Sequence, residues 1–377
     1  MKKSSYLAPV DRYGEKLYAY ARNFREIALI IDQDPSKIKN YFNLPAIDFL
    51  VSDKNSTALE RTCYLEAFSY GDLGVLLASP GPSLSGLMLR ELGSQNQIDE
   101  FYSEIQSKKM RTFFGLTEPK KGSDANNIDT QLIKKDKSYF LTGEKCFFGN
   151  GAVAETGIVL ARINDGPVGI RAIWLKPALL KSQCIEKQVL PMASLKGAQI
   201  SYMRFSNLEV PESLILGGHK SVCQNGLLSI LKVFNQLRTG VGALAIGQAQ
   251  AVYDLVLQLR KSDFFSRGSF FDELHHQLTA ARRYLHFAAD SVDKSPLDFY
   301  HVSASKVMAT RTAETVISAC YDLCDINQLI ENPWIVKAYR DVFCWEFMEG
   351  TTMIQKIHLK KRLKEVMNGK LSISFAA

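Results

Sequence analysis

Residues 347–355, with the sequence FMEGTTMIQ, hold the pattern that governs the interpretation of this chain. The run places one carboxylate, Glu349, between bulky apolar residues and a Gly-Thr turn. Loss of water around such an acid favours its neutral form and raises its pKa toward the range in which a general base works well. The run alone leaves a second interpretation open, because an acid that caps a helix beside Gly-Thr would have the same sequence.

A second run, residues 116–124 with the sequence LTEPKKGSD, lies more than 220 residues upstream. Together the two runs resemble the acyl-CoA dehydrogenase family, whose flavin loop reads T-E-P-x-x-G-S-D and whose base lies in a late E-G-T-x-x-I-Q segment. Residues 142–151, TGEKCFFGNG, extend the match to the family pattern N-G-x-K-x-W-I-T-N-G. The resemblance implies an FAD-dependent enzyme that acts on acyl thioesters.

The pattern of apolar residues divides the chain into three zones. Helical spacing predicts helices over 17–31, 56–67 and 98–108, and again over 224–261, 271–292, 298–323, 334–347 and 352–367. Between them, short β-rich segments predict strands over 139–142, 157–161, 168–175 and 200–205. The resemblance matches this order and implies an α+β, acyl-CoA dehydrogenase-like fold. Its expected parts are an N-terminal helical domain (1–110), a central β-barrel domain (111–215) and a C-terminal four-helix-type bundle (216–377).

Composition and charge exclude several other classes. With 377 residues, 46% of them hydrophobic, the chain can bury more than one core. No apolar run approaches the roughly 20 residues of a membrane helix, and seven scattered cysteines form neither a metal motif nor a disulfide framework. We therefore expect a cytoplasmic protein without a metal site. The net charge of +7 has one cluster, KKRLK at 360–364, which is typical of a solvated helix face rather than of a nucleic-acid site.

One motif matches a cofactor-binding pattern without the structural context that the pattern requires. Residues 240–245, GVGALA, match the dinucleotide fingerprint G-x-G-x-x-G/A. No buried strand precedes them and no βαβ pattern surrounds them, so the context that gives the motif its meaning is missing. The glycines and alanines of 239–251 instead predict close packing between helices.

The resemblance assigns roles by position in the motifs. Glu349 is the expected catalytic base, and Arg238 with Asn235 is expected to face the substrate. The residues expected to contact FAD are Phe114, Leu116, Thr117, Gly122, Ser123, Phe147, Gly149, Lys261, Phe264 and Thr351.

Four departures from the family pattern matter. Gly149 replaces a hydroxyl residue that usually contacts flavin N5, and Asn235 replaces an Asp. The R-x-x-F-G segment, which in the family reaches the FAD of a neighbouring subunit, reads KSDFF at 261–265, and the late G-G-x-G segment reads CDINQ at 324–328. An acid at Asp325 beside a pyrophosphate would be unfavourable. A homodimer or homotetramer is expected, with altered contacts between subunits.

Three functions fit these residues. The favoured one is the biosynthetic branch of the family, which serves polyketide and nonribosomal-peptide assembly by making hydroxymalonyl or aminomalonyl extender units, as in colibactin-type pathways. There the hydrate of a 2-hydroxy- or 2-amino-3-oxopropionyl group on an acyl carrier protein would pass a hydride from C3 to flavin N5, and the positive charge would suit an acidic carrier. The alternatives are an acyl-CoA α,β-dehydrogenase of fatty-acid or amino-acid oxidation and a non-catalytic homologue that serves as a scaffold. The electron acceptor is open, and neither nucleic acid nor membrane is an expected partner.

Overall fold

The computed structural model describes residues 7–124, 127–136, 138–221, 224–260 and 264–368. The chain folds into two compact units. The helical unit comprises residues 1–19, 57–71 and 235–377, and the sheet unit comprises 20–56 and 72–234. Each unit is thus built from separate stretches of chain, and the predicted domain limits at 110 and 215 remain a prediction.

The helices follow one another along the chain with short connections. They are α1 (Pro9–Tyr13), α2 (Glu15–Gln33), α3 (Pro45–Ser52), α4 (Ala58–Gly71), α5 (Leu73–Ala78), α6 (Ser83–Leu92), α7 (Gln95–Lys108), α8 (Leu227–Leu259), α9 (Phe264–Lys294), α10 (Phe299–Asp322), α11 (Ile326–Glu331), α12 (Pro333–Asp341) and α13 (Thr352–Met367). Shorter 3₁₀ segments include Pro35–Tyr41 and Val342–Glu346. The predicted helix over 334–347 is therefore wrong as one α-helix, because α12 ends at Asp341 and the chain tightens into a 3₁₀ turn.

The sheet unit is organised around seven strands. They are β1 (Thr112–Gly115), β2 (Gln131–Lys135), β3 (Ser138–Phe148), β4 (Thr156–Arg162), β5 (Ile170–Leu175), β6 (Ile185–Val189) and β7 (Ser201–Val210). The order is β1-β4-β2-β3-β7-β6, with β5 paired to β4. β3 and β7 form a long antiparallel pair whose register shifts between Cys146 and Phe148. Such an irregularity re-aims side chains, and it lies beside the predicted flavin residues. The predicted central β domain is confirmed as a half-barrel sheet.

From residue 235 onward, helix α8 packs closely against other helices of the helical unit. A Cβ at Gly242 would lie 2.4 Å from Leu285 Cδ2, and one at Gly247 would lie 2.2 Å from the Glu66 carbonyl oxygen. These contacts confirm the predicted close packing between helices, and the continuous helix leaves no dinucleotide turn at 240–245. By length and composition α8 could also cross a membrane, yet 83% of its most apolar 18-residue stretch is buried inside the protein.

Candidate active site

The turn that carries Glu349 joins the 3₁₀ segment Val342–Glu346 to α13. Glu349 has a φ of 50° and Gly350 a φ of 90°, so both residues adopt the left-handed conformation. This conformation is uncommon for a residue other than glycine and persists only where the surroundings impose it. The helix-cap interpretation of Glu349 does not apply here, because Thr351 Oγ1 accepts the hydrogen bond from the Ile354 N–H at 3.2 Å at the start of α13.

Buried side chains hold this turn through its main-chain oxygens. Arg238 Nε of α8 donates to the Glu349 carbonyl at 2.9 Å. Lys306 Nζ of α10 donates to the carbonyls of Gly350 at 3.1 Å and of Glu346 at 3.3 Å. Gln355 Nε2 adds a contact of 3.4 Å to the Gly350 carbonyl. The geometry of this turn therefore depends on residues from two other helices. Lys306 stands in none of the quoted motifs, and Gln355 ends the run 347–355 without an assigned role.

The same surroundings set the charge state of Glu349. Burial raises the pKa of its carboxyl to about 7, while the nearby charges of Arg238 and Lys306 act in the opposite direction. Burial also lowers the pKa of Lys306 to about 8. Arg238 donates to the main-chain oxygen of Glu349, so its guanidinium approaches the turn through the backbone. A carboxyl with a pKa near neutrality can both accept and release a proton under physiological conditions.

The hydrogen bonds of Asn235 explain why this position is an Asn here and not the Asp of the family pattern. Its Oδ1 accepts a hydrogen bond from Arg238 Nη1 at 2.8 Å, and its Nδ2 donates to the Pro296 carbonyl at 3.1 Å. Asn235 is completely buried and Arg238 is 5% exposed, so each of these bonds satisfies a group that has lost water. An ionised Asp could serve Arg238 but could not donate to Pro296. The structure thus brings both predicted substrate residues and Glu349 together within the helical unit.

In the sheet unit, the main chain of the predicted flavin loop is held by a buried ion pair. Lys145 Nζ of β3 lies 2.8 Å from Glu118 Oε1 and donates to the Leu116 carbonyl at 3.0 Å. Glu118 also accepts hydrogen bonds from the Thr130 N–H and hydroxyl at 2.9 and 2.6 Å. Burial alone would raise the pKa of Glu118, but Lys145, the Asp129 N–H and the Thr130 hydroxyl outweigh it and the pKa is lowered. Both residues stand inside the quoted motifs, although the resemblance assigns neither of them a role.

Beside this anchor, the predicted FAD contacts present suitable groups. Phe147 is 61% exposed and has a φ of 58°, an unusual combination for a large aromatic residue. Gly122 and Ser123 are exposed, and a Cβ at Gly149 would lie 3.3 Å from the Ala198 carbonyl oxygen. An accessible ring face, a hydroxyl and glycine main chain are groups that bind a flat heterocycle and a phosphate. The residues present therefore fit FAD.

Five more of the predicted FAD residues divide into three groups. Phe114 and Leu116 are half-buried, and the ring of Phe114 packs edge-on against Phe234 with centroids 5.7 Å apart. The Thr117 carbonyl accepts from the Cys146 N–H at 2.9 Å, which joins the loop to β3. Lys261 and the side chain of Phe264 lie outside the described residues.

The lost G-G-x-G segment has a structural explanation. Asp325 begins α11, where its Oδ1 accepts from the Gln328 N–H at 3.0 Å while the Gln328 side chain accepts from the Asp325 N–H. This reciprocal arrangement is a capping box, which stabilises the start of a helix. The segment 324–328 is therefore a capped helix start, for which Asp suits better than glycine.

The helical unit holds an acid whose pKa of about 7 suits a base, and the sheet unit holds a loop suited to a flavin. Both are features of a flavin-dependent dehydrogenase. Profile comparison agrees: the acyl-CoA dehydrogenase middle domain matches residues 113–208, and the acyl-CoA dehydrogenase C-terminal domain matches residues 224–364. The chain belongs to the acyl-CoA dehydrogenase family and is an FAD-dependent oxidoreductase.

Individual relatives span nearly the whole chain. The probable medium-chain specific acyl-CoA dehydrogenase 2, mitochondrial, of Caenorhabditis briggsae is 24% identical over 364 residues, which cover 94% of this chain and 85% of that protein. The solved structure of PigA with FAD and proline has a TM-score of 0.82 at 19% identity and covers 97% of this chain and 99% of its own. The structure of the prolyl acyl carrier protein oxidase AnaB has a TM-score of 0.78 at 18% identity, with 93% and 99% covered. At these identities the two structures establish the fold.

Proposed function

We propose that the protein oxidises an acyl thioester carried on an acyl carrier protein, with Glu349 as the proton acceptor. The observation that carries this proposal is the Glu349 turn. Its left-handed main chain is held by Arg238 and Lys306, and its carboxyl has a pKa of about 7. A scaffold protein would have no use for a strained turn that keeps an acid near neutrality, so the non-catalytic alternative is disfavoured.

Each group has one defined role in the proposed reaction. Bound FAD supplies the acceptor for a hydride. For the hydrate of a 3-oxopropionyl group, the Glu349 carboxylate removes the proton of one hydroxyl while C3 gives up its hydride, and the C3 carbon becomes a carboxyl. Arg238 and Asn235 keep the turn in place through their hydrogen bonds, and the uncharged Asn235 satisfies its neighbours without adding a second acid to the site.

Three features support a carrier protein rather than free CoA. The protein has a net charge of +7, and carrier proteins are acidic. Asn235 replaces the Asp that the family pattern places toward the acyl-CoA chain. The fold is similar to that of AnaB, which acts on a prolyl group on an acyl carrier protein. We assign the substrate to the 2-hydroxy- or 2-amino-3-oxopropionyl class of extender-unit biosynthesis, in polyketide or nonribosomal-peptide assembly.

A second function is favoured by a different observation. The Caenorhabditis briggsae relative is described as medium-chain specific and covers 94% of this chain. An α,β-dehydrogenase of acyl-CoA would use the same Glu349 carboxylate to remove the α-proton of the thioester.

Anaerobic flavin reduction distinguishes these functions. The holoenzyme is mixed with a 3-oxopropionyl thioester on an acyl carrier protein, with the same group on CoA, and with butyryl-CoA. We expect the fastest bleaching with the carrier-bound group, and a loss of at least about a hundredfold in Glu349→Gln, the scale of a missing general base. Glu273→Gln, an exposed acid on α9, is the matched control. Rapid reduction by butyryl-CoA without a response to the carrier-bound group would assign the protein to acyl-CoA oxidation.

A further inference from the structure

One face of α13 exposes apolar and basic side chains together. Spacings of three and four residues place Met353, Ile357, Lys360, Lys364 and Met367 on the same side of the helix, and we call this set the basic face. Met353 is 63% exposed, Ile357 52% and Met367 84%, and both lysines are exposed as well. Exposed apolar residues that cluster on one surface, rather than singly, are typical of an interaction site.

The opposite face of α13 fixes the orientation of the helix. Gln355 is completely buried, and its Oε1 accepts a hydrogen bond from the Ser303 hydroxyl of α10 at 2.8 Å. Thr352 is 1% exposed and lies within 3.5 Å of Lys306 Nζ. Because these contacts fix one side of α13 against α10, the basic face must point away from the helical unit's core.

The charge of this helix is largely uncompensated. The only acid on α13 is Glu365, which lies 4.0 Å from Arg362. Lys356 and Lys361 border the basic face and are exposed. Within the described ranges, no carboxylate lies within ion-pair distance of the four lysines 356, 360, 361 and 364. A partner with complementary negative charge would gain both in attraction and in orientation.

The basic face begins close to the catalytic turn. α13 starts at Thr352, three residues after Glu349, and at about 1.5 Å per residue Lys360 and Lys364 lie roughly 12 and 18 Å further along the helix. An extended phosphopantetheine arm has a comparable reach. A second copy of the chain that covered this face with its own α13 would bring like charges together, so an acidic partner fits the face better.

We propose that the basic face of α13 is the docking surface for the acidic carrier protein that delivers the thioester. Carboxylates of the carrier would pair with Lys360 and Lys364, while apolar side chains beside its arm would contact Met353 and Ile357. This inference rests on the proposed function and names the surface through which that function is served.

The test reverses two charges on this face and two elsewhere. Lys360→Glu/Lys364→Glu is compared with Lys37→Glu/Lys39→Glu, a matched pair of exposed lysines on the 3₁₀ segment Pro35–Tyr41. Each holoenzyme is assayed with a 3-oxopropionyl group on an acidic acyl carrier protein and with the same group on free pantetheine. For the α13 variant we expect kcat/KM with the carrier to fall at least about tenfold, mainly through KM, and to lose its salt dependence. Pantetheine kinetics, and all kinetics of the control variant, should stay within about twofold.

The possible results distinguish a failure of the docking surface from a failure of the proposed function. Unchanged carrier kinetics in Lys360→Glu/Lys364→Glu would overturn the docking surface and leave the proposed function intact. An equal loss with free pantetheine, or a change of oligomeric state by light scattering, would also overturn it, because the face would then support the fold or a second copy. If the unmodified enzyme turns over neither substrate, the proposed function itself fails.

Discussion

The raised pKa of Glu349 makes a prediction that needs no substrate. Its pKa is about 7 in the folded protein against an ordinary 4.5. A carboxyl whose pKa rises on folding disfavours the folded state once the pH exceeds the unfolded value, and the cost reaches its full size above the folded value. At about 1.4 kcal/mol for each pKa unit, the full cost is about 3 kcal/mol. Glu349→Gln removes this titration, and the variant should therefore be more stable than the unmodified protein at high pH.

Measuring the stability advantage of Glu349→Gln at two pH values isolates the contribution of the Glu349 carboxyl. Between pH 5 and pH 8, the stability advantage of Glu349→Gln should grow by about 2 to 3 kcal/mol, because most of the titration of the folded carboxyl falls in that interval. Urea unfolding of both proteins at each pH, with equal FAD content, measures it. Glu273→Gln, which replaces an exposed acid, should show a much smaller change.

An advantage of equal size at pH 5 and pH 8 would refute the reasoning, since a pH-independent gain would mean better packing of the amide rather than relief of a buried charge. A confirmed gain would identify Glu349 as a residue retained at the expense of stability, which is common at active sites.

Two further predictions concern the residues around the turn. Lys306→Met removes a cation that lowers the pKa of Glu349, so the acid limb of the pH–rate profile should move to higher pH by roughly half to one unit. Lys306→Arg keeps the cation and should restore part of the original position of that limb. If the limb does not move while kcat falls, Lys306 has a purely structural role. Asn235→Asp should lower the free energy of unfolding by about 1–3 kcal/mol at pH 8, because an ionised Asp cannot donate to the Pro296 carbonyl. Thermal unfolding at pH 8 measures the change, and a stabilised variant would contradict the role given to the amide.

Local sequence determined most of the secondary structure. The patterns that predicted helices over 98–108 and 352–367 correspond to α7 and α13, because apolar spacing and cap residues such as Ser94 act within a few residues. The region 334–347 was predicted less well. Its apolar residues keep helical spacing, yet the chain must turn toward Glu349, and α12 gives way to a 3₁₀ segment at Val342.

By itself the sequence also determined the family, the cofactor and the candidate base, since two motifs of specific composition stand in the family's order. Only the tertiary structure decided how Glu349 is held and charged. Arg238 reaches it across 111 residues of chain, and Lys306 reaches the next residue across 44. Neither contact leaves a local pattern, and desolvation is a property of the packed surroundings rather than of the residue. The amide of Asn235 likewise appears in the sequence as a lost acid, whereas the fold gives it two partners that an ionised acid could not both satisfy.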